Sequence, residues 1–337
     1  MSARFRSVLL LLVILAVVAI TSWCTRRNEP APYTRLQGFV FSTVYHVTYE
    51  SPDNWQDTIT ALFAEVDHSL SMFNDASIIS RFNRNDTTCT ANAHFRRVFE
   101  TGQRISRLTD GAFDMTVAPI VNLWGFGFIN RPDAPAQSID SVMRYVGWQT
   151  VSLDSAGHLH KLHPETILDA SSIAKGYAVD VIARFLDSQG IANYMVEIGG
   201  EVFVKGHNET GNPWAVGIAK PLEDAALQNE LQTIVHIRNG GLATSGNYRN
   251  YYYKDGKRYA HTIDPHTGCP TQQDILSATV LAQDCMTADA LATSFMVLGS
   301  EKAMTVLKAD TTLRAFFILA GTGDEFSTLS YPDDWVK

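Results

Sequence analysis

Tyr194 to Ile218 reads YMVEIGGEVFVKGHNETGNPWAVGI. Three strand-like segments follow one another within it, Tyr194 to Ile198, Glu201 to Lys205 and Trp214 to Ile218, each short and rich in β-branched or aromatic residues. A fourth, Thr233 to Ile237, comes next. Strands that succeed one another without a helix between them exclude the strict βαβ alternation of a doubly wound sheet and predict an α+β domain. Working outward, a helix is expected from Ser172 to Leu186, a strand at Ile275 to Ala282, helices at Met286 to Leu298 and Glu301 to Lys308, and closing strands at Arg314 to Leu319 and Phe326 to Leu329. Upstream, Val40 to Glu50 alternates as a half-buried strand. Apolar stripes at helical spacing (Ile59, Leu62, Phe63, Val66, Leu70; then Phe95, Val98, Phe99, Ile105, Leu108) mark two core-facing helices. Thr150 to Leu162 reads as a hairpin. Thr109 to Arg131, dense in Gly and aromatics, reads as a binding loop with short helical turns.

The chain has 337 residues, 45% hydrophobic and 18% charged, so it has apolar material for a packed core and no mark of disorder, collagen or a polytopic membrane protein. Its 27 Lys and Arg against 35 Asp and Glu give a net charge of -8. No electrostatic footprint for nucleic acid exists, and a phosphate-rich ligand needs locally placed donors or a metal. The N-terminus departs from this profile. Arg4 and Arg6 precede an apolar run, Val8 to Ile20, that is short for a spanning helix and fits an export signal over residues 1–23. Cys24 stands where bacterial lipoproteins carry their lipid. Residues 24–36, with Arg26, Arg27, Pro30 and Pro32, then read as a tether to a single domain over residues 37–337. The other cysteines, Cys89, Cys269 and Cys285, are odd in number and lack metal-ligand spacing, which predicts neither a disulfide framework nor structural zinc.

Three segments carry chemistry. In Leu168 to Ala178 (LDASSIAKGYA), Asp169 is expected to end a strand, Ser171 or Ser172 to cap a helix, and Lys175 to project from its first turn, so that free N–H groups and an ammonium converge on an anion. Ser172 and Lys175 also have the spacing of a serine acyl-enzyme. Its apparent companions, Tyr248-Arg249-Asn250 and His266-Thr267-Gly268, share one short region where that fold needs separate elements. In Asp284 to Thr293 (DCMTADALAT), Asp289 and Thr293 lie one turn apart, a carboxylate and a hydroxyl suited to Mg²⁺. In Tyr259 to Gly268 (YAHTIDPHTG), His261 is the natural general base.

Taken in order, SMFNDASIISRFN, GAFDMTVAPIVNLWGFG, LDASSIAKGYAVD, MVEIGGEVFVKG, ATSGNYRNY, HTIDPHTG and DCMTADALAT resemble the ApbE family of FAD:protein FMN transferases, from about Phe39 to Gly299. The resemblance implies a single α+β domain with a mixed, largely antiparallel sheet and flanking helices, usually exported. It implies that Mg²⁺ serves to split FAD and join FMN to a threonine or serine hydroxyl. By the same resemblance Asp169 and Lys175 contact FAD. Ser172 (through its carbonyl), Asp289 and Thr293 hold the metal, with Ala292 adding a contact. Ala112, Phe113 and Asp114 hold the flavin or adenine, Phe41, Phe73 and Ile263 pack against it, and His261 stands near the acceptor hydroxyl. Where this chain has Ser42, Ser171 and Ser172 the family often has Gly, and where it has Phe41, Met. The implied partners are FAD and flavoprotein subunits of membrane electron-transfer complexes, met by a lipid-anchored protein facing the periplasm. An FAD pyrophosphatase and a non-catalytic flavin-binding lipoprotein are the rival readings.

Overall fold

In a computed structural model, which describes residues 31–127, 138–221, 230–247, 251–254, 257–321 and 326–336, the chain opens with a hairpin. Its strands β1 (Tyr33–Val40) and β2 (Thr43–Glu50) pair without slippage from Tyr33 opposite Glu50 to Val40 opposite Thr43, which leaves Phe41 and Ser42 as the whole turn. Both turn residues have positive φ, 49° and 60°, as a two-residue turn that follows the strand twist demands. The strand expected at Val40 is therefore the end of one strand and the start of another. Tyr33 to Leu36, expected in the tether, belong to β1: Leu36 is buried and Tyr33 packs edge-on against Trp214. The export signal and Cys24 lie outside the described residues.

Helices α1 (Gln56–Leu70), α2 (Ile78–Asn83), α3 (Ala93–Leu108), α4 (Ala118–Leu123) and α5 (Ile139–Met143) follow, then the small hairpin β3 (Val151–Leu153) and β4 (Leu159–Lys161), then helix α6 (Ala174–Ser188). The strand-rich half contains β5 (Tyr194–Ile198), β6 (Glu201–Lys205), β7 (Trp214–Ala219), β8 (Leu231–Ile237), β9 (Asn239–Gly246), β10 (Tyr251–Lys254), β11 (Lys257–Ala260), β12 (Ile263–Asp264), β13 (Cys269–Pro270) and β14 (Ile275–Ala282). Helix α7 (Cys285–Ala309) and strands β15 (Arg314–Ala320) and β16 (Phe326–Tyr331) close the chain. Non-helical backbone at Gly299, φ 76°, divides α7 into the two helices the sequence predicts. Among the described residues no helix is long and apolar enough to cross a membrane.

The main sheet runs β1-β2-β5-β6-β9-β14-β15-β16, and every neighbouring pair in it is antiparallel. Strand alternation then divides the apolar residues between two layers. Tyr45, Val47 and Tyr49 face the helices, where they meet Ile59 and Phe63 of α1 and, further on, the buried faces of α3, α6 and α7. Val202 and Val204 point the other way, into a second cluster with Trp214, Ile218, Val235 and Ile237 of the β7–β8 hairpin. The two helical stripes are core as expected except at the end of α3, where Leu108 is 41% exposed.

Candidate active site

Two buried carboxylates set the frame of the site, each lying on one helix and meeting the N-terminus of the other. Asp180 of α6 accepts the Cys285 and Met286 N–H groups at 2.8 and 2.9 Å, and Asp289 of α7 accepts the Gly176 N–H at 3.0 Å. Both N-termini need such acceptors, since their first N–H groups have no partner within the helix. The helices cross so closely at Gly176 that a Cβ there would stand 2.4 Å from the Cys285 carbonyl oxygen. Neither Ser171 nor Ser172 caps α6. Its N-cap is Ile173, the Ala170 carbonyl accepts from Ile173 and Ala174, and the Ser171 N–H donates to Asp169 Oδ1. Asp284 does cap α7, by accepting the Thr287 N–H.

Asp169 sits in a segment outside any strand rather than at a strand end. Its N–H donates to the Met115 carbonyl at 2.6 Å, and the Asn83 side chain brackets the preceding Leu168 by bonding both its N–H and its carbonyl. Burial pushes the Asp169 carboxyl up. Asp114 folds its own loop: Oδ1 accepts from the Thr116 N–H and hydroxyl, and Oδ2 from the Trp148 N–H.

These segments meet around a cavity of about 580 Å³, a size that suits a small organic ligand. Phe73, Ala112, Phe113, Asp114, Asp169, Ser172, Lys175, His261, Ile263, Asp289 and Thr293 all line it, though they come from the whole length of the chain. Two expected residues do not. Ala292 is fully buried in the main core beside the site, and Phe41 packs edge-on against Phe63 at 5.9 Å. Phe73 lines the cavity while 83% exposed, and Phe126 meets His261 edge-on at 6.5 Å.

Lys175 is not a free cation. Its Nζ lies 2.5 Å from Oε2 of Glu201, a strand residue that the reading of the sequence did not single out. Burial would lower the Lys175 pKa, but Glu201 and Asp289 outweigh it and raise it, the opposite direction from the one an acyl-enzyme base needs. Burial, and then the Asp289 charge, pushes Glu201 up, and burial does the same to Asp289. Thr293 completes the α7 face, its hydroxyl 3.0 Å from that of Ser245.

Residues 41–317 match the model of the ApbE family. The FAD:protein FMN transferase of Vibrio cholerae is 40% identical over 309 residues, 89% of this chain and 90% of that one, and its Haemophilus influenzae counterpart is 38% identical over 88% of each. Among solved structures, the flavin transferase ApbE from Vibrio cholerae superposes with a TM-score of 0.79 at 39% identity, covering 89% of this chain and 97% of its own. The Pseudomonas stutzeri flavinyl transferase ApbE, in its apo form, gives 0.77 at 32% identity over 90% and 96%. With the match running from the β1–β2 turn into β15 and relatives alike over nearly their whole length, the chain belongs to the ApbE family.

Proposed function

We propose that this protein transfers the FMN portion of FAD to a serine or threonine hydroxyl of an acceptor protein, with Mg²⁺ as its metal. The acceptor oxygen bonds to the FMN-side phosphorus, the bond from that phosphorus to the bridging oxygen breaks, and AMP leaves with that oxygen. One observation carries this reading. Among the described residues, the cavity is lined by four carboxylates, Asp114, Asp169, Glu201 and Asp289, against the single ammonium of Lys175, which is itself paired. A pyrophosphate entering this lining meets one ammonium that is already paired, which leaves most of its charge to be neutralised by a metal.

The donor set suits a hard divalent cation. Asp289 offers a buried carboxylate, Thr293 a hydroxyl and Ser172 a backbone carbonyl, all oxygen. Held by these residues, Mg²⁺ would supply charge neutralisation for the phosphate groups. The protein's own residues do the rest. Lys175 stabilises negative charge on the pyrophosphate, and Asp169 together with the Ala112–Asp114 loop orients the remainder of FAD. His261 takes the proton of the acceptor hydroxyl.

His261→Ala is therefore expected to leave FAD affinity within error of wild type and to slow FMN transfer by ~10²–10⁴-fold, the usual contribution of a positioned base. Parallel loss of affinity and transfer, measured by FAD titration and by covalent flavin incorporation, would remove His261 from this role. The export signal and a lipid on Cys24 place the domain outside the bacterial cytoplasmic membrane, where acceptor subunits of electron-transfer complexes are met. Cys24→Ala is expected to shift the protein from the membrane fraction to the soluble one, and unchanged fractionation would contradict the anchor.

A further inference from the structure

His266 joins two parts of the cavity wall that the chain separates by some 150 residues. Its Nε2 lies 2.6 Å from the Asp110 carbonyl oxygen, and its Nδ1 lies 2.9 Å from Asp264 Oδ1, which also accepts the His266 N–H. On one side stands the start of the Asp110–Asp114 loop, whose Ala112, Phe113 and Asp114 line the cavity. On the other stands the β12 turn, which carries Ile263 and follows directly on His261. The contact is close enough to shape the loop. Asp110 and Gly111 both have positive φ, 51° and 85°, and a Cβ at Gly111 would stand 3.2 Å from His266 Nε2 and 3.4 Å from Trp148 Nε1.

Both partners of the ring are acceptors only, a carbonyl and a carboxylate. A neutral imidazole has one N–H and one lone pair, so it satisfies one of them and sets a lone pair against the other. Only the doubly protonated ring donates to both. The charged groups around it agree: Asp264 on its own turn, the Asp110 carboxylate, and Asp114 buried behind it, with the Arg107 guanidinium further off, over the Trp148 ring. Burial alone would depress the imidazolium, but the Asp110 carbonyl and the Asp264 carboxylate outweigh it and raise the pKa above the ordinary histidine value.

We infer that His266 is a proton-operated positioning residue: as imidazolium it clamps the Asp110–Asp114 loop to the β12 turn with both ring N–H groups, and on losing a proton it keeps only one of the two hydrogen bonds and loosens the loop. Its effect on catalysis rests on the FMN-transfer reading, because the loop and the turn would then hold FAD and the general base respectively. The clamp itself does not rest on that reading, and half the His266 side chain is exposed, so substitutions there leave the core untouched.

The test is amide hydrogen exchange on the full-length protein without FAD or acceptor, as protection factors for segments 110–115 and 263–268 at about pH 6 and about pH 9, on either side of the histidine range. In the wild type, protection of both segments is expected to fall together, on the order of 10-fold, as a charge-assisted hydrogen bond is lost. His266→Arg, a permanently charged donor, should stay protected at both pH values, and His266→Gln should be weakly protected at both. In transfer assays the same variants should lose the wild-type rise in KM for FAD at high pH while kcat changes less. Wild-type protection that is indifferent to pH, or that falls equally in His266→Arg, would overturn the clamp. Normal exchange behaviour in a protein that transfers no FMN would leave the clamp standing and refute the function instead.

Discussion

Lys175 shows how a single residue's chemistry depends on a neighbour that the local sequence does not announce. Read with Asp169 and Ser172 it is expected at a helix start as an anion ligand, and the structure does place it in the first turn of α6. The Glu201 carboxylate beside it went unread because EVFVK is an ordinary alternating strand, and only the pleat turns its first residue toward the helices while Val202 and Val204 face the other layer. The pair keeps Lys175 charged but tempers its field. Lys175→Ala is therefore expected to weaken FAD binding by about 1–3 kcal/mol, the range of one charge-assisted hydrogen bond. Isothermal titration would check this, and an unchanged affinity would show that Glu201 neutralises the ammonium completely. His261, Asp289 and Thr293, which all line the cavity, stand out in the sequence because each joins a reactive side chain to a distinctive local pattern. The caps were not, since Asp289 serves Gly176 from 113 positions away and no local window contains both.

At the scale of elements, the reciprocal capping of α6 and α7 is what brings Lys175 and Asp289 to one cavity. Asp180 is the half of that exchange that lies away from the cavity, and its protonation is readable in stability. Burial, and then the charge of Asp284, pushes its carboxyl up to about 7, well above the value of an unfolded chain. A carboxyl raised in the folded state contributes stability that is fully present below its unfolded pKa and is lost as the pH rises through the folded one. The stability of wild type relative to Asp180→Asn is thus expected to be greatest near pH ~4 and to decline, on the order of a few kcal/mol, by pH ~7–8. Chemical denaturation across that range would show it, and a difference independent of pH would mean that Asp180 is ionised throughout. The strands and helices were largely legible from their periodicity. The β1–β2 hairpin was half missed because Phe41-Ser42 is not a turn dipeptide of the Asn-Gly kind, and the two residues hold positive φ with the ring of Phe41 packed on Phe63.

For the whole molecule, succession of strands gave the α+β class, but not the order β1-β2-β5-β6-β9-β14-β15-β16, which pairings between distant segments decide. That order places the β5–β6 turn, the end of β9 and the start of α7 around one cavity with the loops that follow α1 and α3. The arrangement brings motifs scattered from Phe73 to Thr293 to one cavity, and on the function proposed above such a site can hand FMN either to a protein or to water. The direct discriminator is a denaturing gel of the protein incubated with FAD, Mg²⁺ and an acceptor subunit bearing the target hydroxyl, read by flavin fluorescence, with the nucleotide products separated alongside. Transfer predicts a fluorescent acceptor band that survives denaturation, one AMP for each FMN attached, and no band for an acceptor whose hydroxyl residue is replaced by alanine. Stoichiometric FMN and AMP in solution with a dark acceptor band would contradict it and identify a hydrolase.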